Sequence, residues 1–70
     1  MLEVKAHIPV SERIKKARQT KGCTIREVAE ACGVTESAVQ MYECGLRTPR
    51  DSIKIKMADF FGESVQNLFF

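Results

Sequence analysis

The chain is 70 residues long, with 11 Lys and Arg against 9 Asp and Glu, a formal net charge of +2 and three cysteines. That length holds one domain, so no separate effector domain is expected, and a core this small contributes only about 3 to 5 kcal/mol net, which favours an all-helical fold with local contacts or help from a partner subunit. The charge is too mildly basic to select nucleic acid by composition, no stretch approaches the roughly 18 apolar residues of a membrane span, and the N-terminus lacks the unbroken apolar core of a signal peptide; a cytoplasmic protein without a membrane partner is expected.

Residues 1–10, MLEVKAHIPV, alternate apolar Leu2, Val4, Ala6 and Ile8 with polar Glu3, Lys5 and His7. The period of two predicts a short strand ended by Pro9, although an isolated strand cannot stand alone and a frayed terminus fits as well. His7 is assigned no role. The first helix is expected from Ser11 as N-cap to Gly22, with Glu12 in the first turn and Ile14, Ala17 and the stem of Arg18 facing inward.

Thr24 followed three residues later by Glu27 is a capping box: the hydroxyl accepts from the Glu27 N–H and the carboxylate accepts from the Thr24 N–H. Ile25, Val28, Ala29 and Cys32 then recur at helical spacing, and Gly33 supplies the positive φ that ends a helix. Thr35 caps the next helix, about 35–44, in which Val39 and Tyr42, with Val34 before them, face inward and which Gly45 closes. Two helices joined by so short a turn cross steeply and need a small residue at the contact, here Ala29. The polar loop Leu46 to Arg50 follows, its proline biasing Thr48 away from helix. Asp51 or Ser52 is expected to cap a fourth helix with Ile53, Met57, Phe60 and Phe61 inward and Gly62 at its end. Ser64 caps a last short helix with a Val65, Leu68, Phe69 stripe. Part of Leu68-Phe69-Phe70 closes the core, and the remainder is a candidate dimer surface.

Cys23, Cys32 and Cys44 form no close pair, and their spacing with His7 matches no common zinc module, so free thiols are expected, Cys32 as a core residue and Cys44 near an exposed helix end. No GxSxG, phosphate-cradling glycine loop or paired acid and base is present, and the carboxylates sit where helix caps explain them. Neither an enzyme nor a metal or cofactor site is expected.

Ala29, Gly33, Val34, Val39, Tyr42, Glu43 and Gly45 match the helix-turn-helix of the phage repressor and Cro-like, or lambda-repressor-like, DNA-binding domains. Arg18 upstream and Arg47, Pro49, Ala58, Phe61, Val65 and Leu68 downstream carry the resemblance from about residue 12 to residue 70. It implies an all-α, five-helix domain over residues 11–70; residues 1–10 precede the family pattern, and a short extended arm or strand there would pair with its twofold mate or lie on DNA. The implied function is that of a sequence-specific transcriptional regulator binding double-stranded DNA, as a homodimer on two half-sites and without a small-molecule ligand. The resemblance also implies an ion pair between Arg18 and Glu43 that ties helix 1 to the end of the recognition helix.

With Val39 and Tyr42 inward, the recognition helix presents Glu36, Ser37, Gln40 and Met41. The family's base-reading positions fall on Glu36, Ser37 and Met41, with Gln40 next. Glu36 can accept from cytosine N4, Ser37 can bond several base edges, Gln40 can be bidentate to adenine, and Met41 can touch a thymine methyl. Phosphate contacts are expected from Thr24, Ile25 and Arg26 at the start of helix 2 and from Arg47 and Arg50 in the loop, while Lys15, Lys16, Lys54 and Lys56 add diffuse attraction. Many family members carry a glutamine at the Ile25 position whose side chain bonds a phosphate. Isoleucine cannot, so either Thr24, Arg26 or the backbone replaces that contact or the protein binds DNA more weakly than its relatives. The competing class is a protein-interaction module of the same fold, its recognition face turned to a partner such as an antirepressor target.

Overall fold

The computed structural model describes residues 9–70. Five helices follow one another: α1 Val10–Lys21, α2 Ile25–Cys32, α3 Glu36–Cys44, α4 Asp51–Phe61 and α5 Val65–Phe69. Among the described residues there is no strand, so the expected all-α class is the one adopted. The strand expected over Leu2 to Ile8, and His7 with it, lies outside these residues.

Local chemistry accounts for most helix ends. The capping box closes at both bonds, with Glu27 N donating to Thr24 Oγ1 at 3.1 Å and Thr24 N donating to Glu27 Oε1 at 2.8 Å. Thr35 Oγ1 accepts from Ala38 N at 3.1 Å, and Ser64 Oγ accepts from Asn67 N at 3.0 Å. Each hydroxyl satisfies one of the N–H groups that a helix start leaves open. Gly33, at φ 71°, ends α2 and lets Val34 N reach back to the Ala29 carbonyl at 3.0 Å. Only three residues then separate α2 from α3.

Two helix starts differ from expectation. Ser11 does not cap α1. Pro9, extended at φ −59° and ψ 152°, takes that position, and its carbonyl accepts from Glu12 N and Arg13 N at 3.0 and 3.1 Å. Ser11 instead lies inside the first turn, its Oγ 3.5 Å from where a Cβ on Gly45 would stand, so its small side chain serves the approach of α1 to the end of α3. Likewise neither Asp51 nor Ser52 caps α4. Arg50, extended after the buried Pro49, is the N-cap with no side-chain bond, and Asp51 falls in the first turn, where the helix dipole favours a carboxylate.

The core takes Ile14 from α1, Val28, Ala29 and Cys32 from α2, Ala38, Val39 and Tyr42 from α3, Met57 and Ala58 from α4, and Leu68 and Phe69 from α5. Helix α1 packs on α3, α4 and α5, while α2 packs on α3 and α4. Every helix therefore shares one core, and α3 is held from two sides. Ile53, Phe60, Phe61 and Val65 pack around its edge. The three cysteines are free thiols, Cys32 buried, Cys23 half-buried and Cys44 exposed. Burial pushes the Cys32 thiol pKa up, an effect that nearby Lys56 partly opposes. No helix among the described residues is long and apolar enough to cross a membrane.

Candidate nucleic-acid interface

Helix α3 divides cleanly into two faces. Ala38, Val39 and Tyr42 are buried, whereas Glu36, Ser37, Gln40 and Met41 are all exposed. Positions i, i+1, i+4 and i+5 form one stripe along a helix, so the four candidate base-reading residues stand together. Met41 is 40% exposed and belongs to no core cluster. A flexible apolar side chain is left in water beside three polar ones, a combination suited to a surface that another molecule covers.

The orientation of that stripe is fixed from behind. Arg18 Nε donates to Glu43 Oε2 at 2.6 Å, and the same guanidinium donates to Glu43 Oε1 at 3.2 Å. A third donor reaches the Cys23 carbonyl at 3.1 Å. One side chain of α1 thus holds both the last turn of α3 and the turn before α2. The pair is largely shielded, with 16% of the Arg18 side chain and 7% of the Glu43 side chain exposed. The hydrogen bond to Glu43, aided by the attraction of its charge, raises the Arg18 pKa against the opposing effect of burial, so the guanidinium stays charged.

The candidate phosphate-binding groups are all at the surface except Ile25. Thr24 and Glu27 occupy each other through the capping box, which leaves the Ile25 and Arg26 N–H groups as the donors at the start of α2 without a side-chain acceptor. The Ile25 side chain packs against the core, so the position has traded a polar contact for apolar burial. Arg26 makes a 3.4 Å contact with Glu30 one turn on; both side chains are mostly exposed, and such pairs hold only a few tenths of a kcal/mol. Arg47 and Arg50 are exposed and form no ion pair among the described residues.

A buried proline anchors this loop. Pro49 is buried, and with Pro9, Val10, Tyr42 and Arg47 it lines a cleft of about 210 Å³ between the start of α1 and the end of α3. A proline between two arginines reads as a surface turn, and nothing local to it signals burial. Ala38 is buried too, and its position carries no signal either, since a small residue in a short helix adds little to the apolar pattern.

Two helices of eight and nine residues, a three-residue glycine turn, and a second helix pinned by its inner face define a helix-turn-helix domain. A family model described as Helix-turn-helix matches residues 14–68, and the chain belongs to that family, the lambda-repressor-like helix-turn-helix domains. A comparison with curated protein sequences finds no significant match. Among solved structures, the chain is similar to the N-terminal DNA-binding domain of SinR from Bacillus subtilis, at 33% identity and TM-score 0.77, covering 84% of this chain and 87% of that one. It is also similar to the restriction-modification controller protein C.AhdI from Aeromonas hydrophila, at 25% identity and TM-score 0.80, covering 86% and 91%. The P22 c2 repressor, solved with a synthetic operator, shares the fold at TM-score 0.86 with 17% identity, covering 90% and 96%.

Proposed function

We propose that this chain is a transcriptional regulator that binds double-stranded DNA sequence-specifically, laying α3 in the major groove. The observation that carries the reading is the outward stripe of Glu36, Ser37, Gln40 and Met41 on a helix whose opposite face is buried and whose end is pinned by Arg18. A major groove admits one α-helix, and the residues in its first turns reach base edges. The SinR domain and the P22 c2 repressor, one described as DNA-binding and the other seen with operator, support the same assignment. Affinity comes from phosphates, contacted by the exposed Arg47 and Arg50 and by the open N–H groups at Ile25 and Arg26, with Thr24 beside them.

It works as a homodimer on two half-sites about one helical turn apart. Ile55 and Phe70 are 60% and 73% exposed, and with Val65 and Lys54 they line one shallow depression on α4 and α5. Apolar surface of that kind favours a second copy as its cover, in the isologous arrangement of a twofold dimer.

Selection from a pool of random duplex DNA at two salt concentrations tests the reading. The expected result is enrichment of a palindromic site whose affinity falls steeply with salt, the logarithmic slope steepening by about 0.9 for each phosphate neutralised. Recovery of no preferred sequence at either salt overturns it and favours a protein partner for the α3 face.

A further inference from the structure

A second surface lies away from the helix-turn-helix. A cleft of about 380 Å³ runs between α1 and the α4–α5 corner and takes no residue from α2 or α3. Its floor is apolar, made by Ala17, Phe61 and Leu68. Its rim is cationic. Arg13, Lys16 and Lys21 stand along it against the single carboxylate of Glu63, and none of the three forms an ion pair among the described residues. Lys21 is held at one end with Nζ 5.0 Å from the centre of the Phe60 ring, a contact that keeps an ammonium in place while leaving it charged.

The spacing of the α1 residues gives the cleft its length. Arg13 to Lys21 covers a little over two turns, or about 12 Å at 1.5 Å per residue. The rim residues Lys16 and Lys21 are exposed, so the cleft is a trough along the helix rather than an enclosed chamber. A small molecule needs most of its surface covered to bind well, and a trough does not provide that. An extended or helical segment of another protein does not need it, because its own body covers the open side. Three cations over an apolar floor call for apolar anchors flanked by carboxylates.

We propose that the α1–α5 groove is a docking site for an acidic amphipathic segment of a partner protein, with its apolar side chains on Ala17, Phe61 and Leu68 and its carboxylates at Arg13, Lys16 and Lys21. Because no residue of α2 or α3 lines the groove, the site is separate from the proposed DNA-reading face and stands whether or not that reading holds.

The probe is a fluorescein-labelled twelve-residue peptide that repeats Leu and Phe one helical turn apart with Glu between them, compared with the same peptide carrying Lys for Glu. Anisotropy titration of the full chain is expected to give saturable binding of the acidic peptide alone, weakening as salt rises. The double variant Lys16→Glu, Lys21→Glu, altered only at exposed positions, should weaken it at least tenfold, and Thr20→Trp, which fills the trough without changing charge, should do the same. Arg47→Ala should leave it unchanged. Backbone amide shifts on titration should cluster at residues 13–21 and 61–68. Absence of binding, binding that survives both groove variants, or shifts centred on α3 and residues 45–50 would overturn the proposal. Decanoate displacing the peptide at equal affinity would replace it with a small amphiphilic carboxylate as the ligand.

Discussion

Arg18 and Glu43 stand 25 residues apart in the chain and meet through two hydrogen bonds of 2.6 and 3.2 Å, one partner on α1 and the other in the last turn of α3. The contact is the only ion pair among the described residues whose partners lie on different helices. It fixes the rotation of α3 about its axis, because Glu43 follows directly on buried Tyr42 and points toward α1 when Met41 and Gln40 point away. Removing one partner leaves a shielded charge without its mate. Glu43→Ala is expected to lower stability by about 2 to 4 kcal/mol, somewhat less than a wholly buried pair. A paired apolar replacement, Arg18→Met with Glu43→Leu, should recover much of that loss. Urea denaturation of the three proteins at low temperature decides the matter, and equal midpoints for Glu43→Ala and the parent would refute a structural role for the pair.

Thr24→Ala removes the hydroxyl half of the capping box and should cost about 1 kcal/mol, read as a lower Tm. The Glu27 carboxylate keeps its bond to the residue 24 N–H, so the loss is partial. Glu27→Ala in the same background should then lower the Tm further. No additional fall would mean that the second bond contributes nothing in solution.

Gly33→Ala tests the turn between α2 and α3. The residue stands at φ +71°, and an added Cβ meets nothing nearer than Lys56 Nζ at 4.0 Å. The penalty is therefore conformational and not steric, about 1 to 2 kcal/mol for an L-residue held left-handed. Gly33→Asn, which tolerates that region better, should lose less than alanine does. The reverse order in thermal melts would contradict this account.

On the DNA side, the loop arginines and the α3 stripe should behave differently. Arg47→Ala or Arg50→Ala is expected to weaken binding to every duplex alike and to flatten the salt dependence by about one counterion. Gln40→Ala or Met41→Ala should instead change which sequences are enriched, by about 1 to 3 kcal/mol at a single base pair. Phe70→Asp should shift the protein toward monomer in sedimentation equilibrium and weaken a two-half-site operator far more than an isolated half-site.

The thiols give a probe of local opening. At pH 8, Cys44 should react with a disulfide reagent at once, Cys23 more slowly, and Cys32 only as fast as the domain opens, since it is buried and its proton is held more tightly than in the unfolded chain. The same raised pKa has a sign for stability. Its contribution is complete below the ordinary thiol value of 9.0 and is lost as pH rises above it, because the unfolded state releases the proton first. Denaturant midpoints should fall above that pH, and Cys32→Ala should flatten the fall.

Sequence by itself determined what depends on neighbours within one turn. The Thr24 and Glu27 box, the hydroxyl caps at Thr35 and Ser64, the glycine ends and the inward faces of α2 and α3 follow from side chains three or four residues apart and from backbone angles that glycine adopts without strain. Those interactions form wherever the segment is helical, so they are legible without the rest of the molecule. Where α1 and α4 begin was not legible, because Ser11 packs toward Gly45 and Pro49 is buried in the cleft between the start of α1 and the end of α3, and both are contacts across the fold. Tertiary structure alone also decided that Arg13, Lys16 and Lys21 gather over Phe61 and Leu68. Such placements depend on how helices far apart in the chain cross, and crossing is fixed by the shape of the whole core, not by any periodic pattern within one helix.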